Sequence, residues 1–453
     1  MKPSNVMRSL TASGPDVSRR RLLKRVMSTG VGVAGLGLLA RDLHAEPTPS
    51  QDAQASIARA TRGMPTPKIK DVTFIDAFSV VKVTTDQPGL YGYGEAAVPA
   101  RAKLVKTAVL EYLKPLVIGR SVDRIEETWQ FLFLSSYYKN DHVQNSAIAG
   151  ICDALWDIKG RQAGMPVYQL IGGKCRDAAE VYMHVRVPKF EPALIAEAAL
   201  QLYTERKARN IQIDMFHRDA PIATLDGGMG FDRDVAVHNT MKAFEAFRAK
   251  LPATVRLGVD VHSELDPGRA LQFAKDAEQF KPWYWVEDIV PTEHHEYFSV
   301  IRHQSAVPLS LGELWNNPTE WRPVIEGRLI NYFRNHMAHM GGFTPGRRLA
   351  AYAENFEVKT GWHAAGCSPI GQMARLTLDV TCPNFGIHED WPISDRERQV
   401  FQGIHEVRDG FAWVSEKPGW GIEIDEAAAA KMPLPTEGDR KQRLRDGSYL
   451  PGI

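Results

Sequence analysis

The chain has 453 residues, enough for two domains, and its 44% hydrophobic and 24% charged residues are ordinary for a globular protein. The formal net charge of +1 hides an excess of six positive charges in the first 45 residues, so the remainder is acidic. Nucleic-acid binding and membrane-surface binding of the processed chain are therefore not expected. The four cysteines lack any metal-ligand spacing, and their even number does not decide whether they form disulfides.

The first 45 residues predict a signal for twin-arginine (Tat) export. Residues 18–24 contain the paired arginines with suitable flanks, a short glycine-rich apolar run covers residues 26–40, and residues 43–45 resemble a cleavage site. The apolar run is too short and too rich in glycine for a convincing transmembrane helix. A disordered basic tail is the alternative. This route exports folded proteins to the periplasm, so we expect a periplasmic protein.

The next part of the chain predicts a linker and an α+β domain. Residues 46–66 are polar and rich in Ala and Pro, as in a linker, and residues 67–178 would form the domain. Alternation from Ile69 to about Thr85 predicts a β-meander, whereas the glycines of residues 92–97 predict a turn-rich loop. Helical periodicity then predicts three helices, at about residues 102–118, 122–134 and 145–163.

Regularly spaced polar residues follow short apolar runs in the second half of the chain. Asp260, Glu287 and Glu313 each end such a run, at steps of 27 and 26 residues, the length of one strand, one helix and two loops. The same register extends to five more predicted strand ends, namely His184, Asp214, His336, His363 and Glu389. The pattern predicts a parallel α/β barrel over residues 179–404, with residues 405–453 packing back on the N-terminal region.

Three acids at one barrel mouth would repel one another unless a cation neutralises them. Asp260, Glu287 and Glu313 offer only oxygen ligands from rigid strand ends, which suits a hard divalent cation. We therefore predict one Mg²⁺ per chain. His262 follows Asp260 by two residues, so both side chains leave the same face of the strand.

One βα unit is longer than the others. The step from Asp214 to Asp260 is 46 residues, and the surplus lies within residues 215–238. A long loop on the catalytic side of a barrel is typical of a lid or a substrate-contacting segment. An inert surface insertion is the alternative.

Several motifs resemble the enolase superfamily, in its mandelate racemase branch, and within it the mannonate/gluconate dehydratase group of acid-sugar dehydratases. They are residues 154–160 with 169–174, Asp260-x-His262, Arg334-x-His336, residues 341–345, Trp362-His363 and residues 418–421. The resemblance covers about residues 68–435. It implies an α/β fold, a modified TIM (β/α)7β-type barrel with an N-terminal α+β capping domain completed by C-terminal segments, and it implies a homo-oligomer.

The resemblance also implies roles for the site residues. Asp260, Glu287 and Glu313 would bind Mg²⁺, which holds the carboxylate of a sugar acid and stabilises the charge that forms when the α-proton leaves. His262 would be the general acid that protonates the departing 3-hydroxyl, although a histidine that only orients ligands is the alternative. The implied substrate contacts are His184, Arg334, His336, His363, Glu389 and Trp420.

The general base is where the chain departs from the family. The Lys-x-Lys pair of the racemase branch is absent, and so is the Arg and Tyr pair of the mannonate type. Gln212 stands about where that Arg is expected, and residues 215–238 contain no Tyr. Asp214, Arg218 and the adjacent His217 are the candidates for the base. Cys367 stands where the family has an Asp.

The predicted function is that of a carbon–oxygen lyase, a Mg²⁺-dependent dehydratase that converts a sugar acid into a 2-keto-3-deoxy acid. One alternative is another proton-abstraction reaction, an epimerisation or a β-elimination on a uronate or aldonate substrate. The other is a non-catalytic, metal-dependent sugar-acid-binding protein. Deuterium entering the α-carbon without loss of water would favour the first alternative, and binding without exchange would favour the second.

Overall fold

The computed structural model describes residues 66–215, 221–225, 228–434 and 442–450. The predicted export signal, most of the predicted linker, His217 and Arg218 therefore lie outside the described residues. Among the helices of the described residues, none has the length and apolar character needed to cross a membrane.

The N-terminal domain is a three-stranded antiparallel sheet packed on helices. The strands, in the order β1-β2-β3, are β1 (Ile69–Ile75), β2 (Val80–Thr85) and β3 (Tyr91–Glu95). The helices are α1 (Ala102–Thr107), continued by a π-helical stretch (Ala108–Leu113) and α2 (Lys114–Val117), then α3 (Ile125–Leu134), α4 (His142–Ala163) and α5 (Val167–Leu170). The predicted meander and helices are thereby confirmed.

The prediction of a turn-rich loop over residues 92–97 was wrong in part, because residues 92–95 form most of β3. Its glycines allow this strand to lie directly on the backbone of α4. A methyl group on Gly92 would lie 2.3 Å from the carbonyl oxygen of Ala154, and one on Gly94 would lie 2.1 Å from that of Gly150. These glycines therefore serve close contact between a strand and a helix, and not a turn.

Replacing Gly94 with Ala is expected to destabilise the protein by about 1–3 kcal/mol, because the added methyl group would overlap helix backbone that cannot move aside. Urea denaturation followed by tryptophan fluorescence would measure the loss. Gly268→Ala is the matched control, since a methyl group there meets only Asp266 Oδ1, at 3.5 Å. Equal stability of the two variants would contradict the close packing of β3 on α4.

Eight parallel strands form a closed barrel. They are β4 (Ala179–His184), β5 (Asn210–Asp214) and, after a hairpin of β6 (Pro221–Ala223) and β7 (Met229–Phe231), β8 (Arg256–Asp260), β9 (Trp283–Glu287), β10 (Leu309–Leu311), β11 (Tyr332–Phe333), β12 (Lys359–Thr360) and β13 (His388–Asp390). Neighbouring strands pair in parallel from β4 to β12, and β13 pairs with β4. A parallel bridge between Thr360 and Phe385 closes the remaining gap.

Seven α-helices in the described part of the chain connect these strands, which confirms the predicted (β/α)7β barrel. They are α6 (Pro192–Arg206), α7 (Arg233–Lys250), α8 (Pro267–Ala277), α9 (Glu296–Gln304), α10 (Pro318–Glu326), α11 (Phe343–Glu354) and α12 (Pro369–Thr381). Three of them begin with proline and have a polar side chain before it, Asp266, Asn317 or Ser368, which accepts a hydrogen bond from the first turn. Each cap fixes the residue at which its helix begins, and so the length of the loop that leads there from the barrel mouth.

The chain after the barrel returns to several parts of the molecule. Its elements are α13 (Asp395–Val400), β14 (Phe401–Gln402), β15 (Glu406–Arg408), β16 (Phe411–Trp413), β17 (Glu423–Ile424), α14 (Glu426–Ala429), β18 (Gln442–Arg443) and β19 (Tyr449–Leu450). Strand β16 pairs with β4, whereas Glu423 contacts Arg161 of the N-terminal domain. The last hairpin lies against the β6–β7 insertion, where Leu444 forms a parallel bridge to Phe231.

Candidate metal centre at the barrel mouth

The three predicted metal ligands converge at the carboxyl ends of neighbouring strands. Asp260 ends β8, Glu287 ends β9 and Glu313 follows β10, and one oxygen from each lies within 4.8 Å of the others. Burial raises the pKa of Glu313 well above its usual range, and the nearby carboxylates of Asp288 and Asp260 add to this effect. Such crowding makes each carboxylate harder to ionise unless a cation is shared. A set of three oxygen donors fits a hard divalent ion.

The backbone at these strand ends is strained. His262 and Ser263 after β8, and Asp288 after β9, have φ values of 53°, 60° and 42°, in the left-handed region that non-glycine residues rarely adopt. Hydrogen bonds hold the two loops together, because Val261 N donates to Glu287 O at 3.0 Å and Ser263 N donates to Asp288 O at 2.7 Å. Strain of this kind is typical of functional sites, where it fixes the direction of particular side chains.

Glu287 is held by hydrogen bonds on both of its oxygens. The Nε of Arg334 donates to Oε1, and the amide of Gln212 donates to Oε2 at 3.3 Å. Outer partners of this kind commonly orient metal-binding carboxylates. Gln212 therefore contacts a predicted metal ligand from β5, the strand where the family's base was expected.

His262 lies beside the first metal ligand. Its backbone N–H donates to Asp260 Oδ1 at 3.0 Å, and its Nε2 lies 3.2 Å from Asp260 Oδ2. Burial lowers the pKa of His262, although the carboxylates of Asp214 and Glu264 oppose this effect. The lowered pKa favours the neutral form of the imidazole.

A second network joins four of the predicted site residues. His184 Nδ1 lies 3.1 Å from Asp214 Oδ1, and its Nε2 lies 2.8 Å from Glu389 Oε1. Arg334 Nη1 donates to Glu389 Oε2 at 2.7 Å, and the Ala364 N–H donates to the same oxygen. Although burial opposes ionisation, Arg334 and His184 hold the pKa of Glu389 well below its usual range. Glu389 is thus an ionised anchor for a histidine and an arginine.

The His184 network predicts a pH-dependent contribution to stability. Although burial opposes a charged imidazole, the carboxylates of Asp214 and Glu389 raise the pKa of His184 from 6.5 to about 9. A raised folded-state pKa gives stabilisation that is complete below about pH 6.5 and is lost as the pH rises through about 9. Its size is about 3 kcal/mol, since one pKa unit corresponds to about 1.4 kcal/mol.

The difference in the free energy of unfolding between the wild type and His184→Gln, measured in EDTA, should therefore be largest near pH 6. It should shrink steadily toward pH 9.5. A difference that does not change over this range would contradict a charged His184 in the folded protein. Urea denaturation at half-unit pH steps would give this comparison.

The predicted substrate contacts His336 and His363 lie close to the predicted metal ligand Glu313. His363 Nε2 is 3.3 Å from Glu313 Oε1, and its ring centre is 5.5 Å from that of His336. His336 Nε2 lies 3.3 Å from Cys367 Sγ. The two histidines therefore form a buried path from the metal centre to Cys367.

Glu95, His336 and Cys367 form a second cluster, whose potential ligand atoms also lie within 4.8 Å of one another. Burial raises the pKa of both the Glu95 carboxyl and the Cys367 thiol, and Arg375 opposes this in each case. A protonated thiol is a poor metal ligand, and Arg375 already supplies positive charge here. The three carboxylates at the mouth therefore make the stronger cation site.

One predicted substrate contact, Trp420, lies away from the metal centre. Trp420 is buried between the domains, and its indole N–H donates to Tyr93 O at 3.1 Å and Asp153 O at 3.2 Å, so it is already occupied. Asp214 ends β5 as predicted. Although burial alone would raise the pKa of Asp214, the neighbouring His184 lowers it, which weakens Asp214 as a base. The other candidates, His217 and Arg218, lie outside the described residues.

The sequence reasoning missed two residues of this centre. Asp288 is buried next to Glu287, and burial together with the nearby Asp260 carboxylate raises its pKa. The sequence analysis assigned one polar residue to each strand end and therefore passed over Asp288. Its position directly after Glu287 was the signal that could have identified it. Gln212 was noted only as the replacement of an expected base.

Comparison with family models identifies both parts of the fold. Residues 61–172 match the N-terminal domain of the mandelate racemase/muconate lactonizing enzyme family, and residues 194–428 match the enolase C-terminal domain-like family. The second match alone spans more than half of the chain.

Several relatives match more than three quarters of the chain. The D-galactonate dehydratase family member RspA of Pantoea ananatis is 41% identical over 380 residues, which are 78% of this chain and 90% of the relative. The family member SEN1436 of Salmonella enteritidis is 39% identical over 381 residues, which are 78% of this chain and 90% of that relative.

Solved structures show the same architecture. A crystal structure of an enolase from Pantoea ananatis with bound D-gluconate and Mg superposes with a TM-score of 0.78 at 37% identity, covering 84% of this chain and 99% of that one. An enolase superfamily member from Salmonella Typhimurium, at 23% identity, has the same fold with a TM-score of 0.73, covering 81% of this chain and 98% of that one. The chain belongs to the mandelate racemase/muconate lactonizing enzyme family of the enolase superfamily.

Proposed function

We propose that this protein is a Mg²⁺-dependent acid-sugar dehydratase. It would remove the proton α to the carboxylate of an aldonic acid, eliminate the 3-hydroxyl as water, and release a 2-keto-3-deoxy acid. The observation that carries the proposal is the convergence of Asp260, Glu287 and Glu313, with His262 beside them. The dehydratase names of the relatives and the gluconate and Mg bound to the Pantoea ananatis enolase support the choice of reaction and substrate class.

Asp260, Glu287 and Glu313 would hold the ion. When bound, Mg²⁺ supplies positive charge at the substrate carboxylate, where negative charge builds as the α-proton leaves. Arg334 and His363 line the same mouth, where they would orient the substrate. Both side chains are buried, and electrostatic interactions are stronger in a buried site than in water.

The chain must also move two protons. The bond between the α-carbon and its hydrogen breaks, its electron pair forms the new carbon–carbon double bond, and the 3-hydroxyl leaves with a proton. We assign that proton to His262, which gains it before the elimination. Asp214, Arg218 and the adjacent His217 stay the predictions for the base, which takes the α-proton. Tautomerisation of the enol product then gives the keto acid without any further reactant.

A screen of a stereochemically complete library of aldonic and uronic acids tests this function. The purified protein with Mg²⁺ should form keto acid, detected as a semicarbazone, from one or a few members, and EDTA should stop the reaction. Conversion of no member would overturn the proposal. In D₂O, deuterium at the α-carbon with no loss of water would show epimerisation, whereas Mg²⁺-dependent binding with no exchange would show a sugar-acid-binding protein.

We also propose that the enzyme acts in the periplasm as a homo-oligomer. The paired arginines and the apolar run of the leader support export by the twin-arginine route. Cell fractionation should find the processed protein in the periplasm, and replacing Arg19, Arg20 and Arg21 with lysine should retain the precursor in the cytoplasm. If the wild-type protein stays in the cytoplasm with its leader uncleaved, the export proposal is contradicted.

A further inference from the structure

A buried amide inside the barrel contacts one of the predicted metal ligands. Gln212 lies on β5, two strands away from Glu287 on β9, and both side chains are fully buried. The amide nitrogen of Gln212 donates to Glu287 Oε2 at 3.3 Å. The other oxygen of Glu287 accepts from Arg334, so this ligand is held from two directions.

The orientation of the Gln212 amide is fixed by two donors. The Tyr284 hydroxyl donates to Gln212 Oε1 at 3.0 Å, and the indole N–H of Trp285 donates to the same oxygen at 2.9 Å. An indole nitrogen can only donate, so the atom that it faces must be the amide oxygen. The amide NH₂ is thereby forced toward the Glu287 carboxylate, which is an acceptor.

The strand geometry shows how the sequence builds this contact. Successive residues of a strand normally face opposite sides, so Tyr284 and Trp285 could not both reach Gln212 from a regular β9. The pairing of β8 with β9 shifts at this point, since Leu257 pairs with Trp283 but Gly258 pairs with Trp285. Tyr284 is the extra residue of a β-bulge, which turns its side chain into the barrel.

The intervening strand leaves room for the contact. Gly258 of β8 pairs with Gln212 on one side and with Trp285 on the other, so the three residues form one row across the sheet. A methyl group on Gly258 would lie 2.1 Å from the ring of Tyr284. Only a glycine at this position allows the Tyr284 ring to cross β8 and reach the amide.

We propose that Gln212 is a positioning residue for the metal ligand Glu287. Its amide N–H occupies one side of Oε2 and so directs the remaining lone pairs of the carboxylate toward the mouth. Arg334 already places one positive charge beside Glu287. Because the Gln212 amide is neutral, it orients the carboxylate without adding a second positive charge, as a lysine at this place would. The inference rests on the proposed metal centre.

Calorimetric titration of the full chain with Mg²⁺, without substrate, tests this role. Gln212→Leu should weaken Mg²⁺ binding by about 10–100-fold, the usual effect of losing an outer partner of a metal ligand. Tyr284→Phe should weaken it several-fold, because Trp285 still holds the amide. Asn210→Leu is the matched control, since Asn210 is buried at the far end of the same strand and donates to Val181 O at 3.0 Å. Its Mg²⁺ affinity should equal that of the wild type.

The outcomes separate this inference from the proposed function. If the wild type binds Mg²⁺ and both Gln212→Leu and Tyr284→Phe bind it equally well, the positioning role is overturned while the metal centre stands. If the wild type does not bind Mg²⁺, the proposed function fails and the inference fails with it. Should Gln212→Leu not fold, as judged by near-ultraviolet circular dichroism, Tyr284→Phe decides, because it removes only one hydroxyl.

Discussion

Replacing Glu287 with Gln should lower kcat/KM for dehydration by at least about 1,000-fold. An amide has the size of the carboxylate but lacks its charge, and the change also removes one of the two carboxylates that pair with the Arg334 guanidinium. A metal ion that stabilises developing charge contributes several kcal/mol to the rate, which corresponds to a factor of this size. Initial rates of keto-acid formation at saturating Mg²⁺ would measure it.

Glu293→Gln is the control for the Glu287 variant. Glu293 is an exposed acid in the loop that follows the same strand, so it tests whether any loss of charge near β9 has this effect. We expect its kcat/KM to match the wild type. Turnover by Glu287→Gln within a few-fold of the wild type would remove Glu287 from the metal centre.

Replacing His262 with Asn should lower the rate of dehydration by about 100–10,000-fold, the range that a general acid contributes. Asn retains a polar group beside Asp260 but cannot deliver a proton to the departing hydroxyl. Removal of the α-proton is a separate step on a separate group. The variant should therefore still exchange the α-proton of its substrate with solvent, which NMR in D₂O would detect.

Two results would show that His262 has a role other than general acid. A loss below about 10-fold would mean that His262 only orients Asp260 through their 3.2 Å contact. Loss of α-proton exchange together with dehydration, with Mg²⁺ binding intact, would make His262 the group that takes the α-proton. Ser263→Ala, in the same strained loop, controls for disturbance of the backbone.

The barrel and its acids could be predicted from the sequence because they depend on local spacing. Each βα unit has about the same length, so the residue after each apolar run marks a strand end. Asp260, Glu287 and Glu313 could thus be placed at one mouth without knowledge of any contact. The motifs that resemble the family gave the branch and the reaction class in the same way.

The rest depended on contacts that spacing does not encode. The hydrogen bond between Gln212 and Glu287 joins residues that are 75 positions apart, and it requires a β-bulge that no local pattern revealed. The same limit applied to β3, where the glycines that resemble a turn in sequence are needed for contact with α4. Spacing also did not reveal that two carboxylates from neighbouring strands hold His184, whose contact with substrate stays a prediction.

Diffraction from crystals grown with Mn²⁺, at a wavelength where manganese scatters anomalously, would locate the ion directly. We expect a single strong anomalous peak per chain, about 2.0–2.3 Å from one oxygen each of Asp260, Glu287 and Glu313. Strong peaks only at other sites, with these three carboxylates binding no ion, would contradict a shared cation at the barrel mouth.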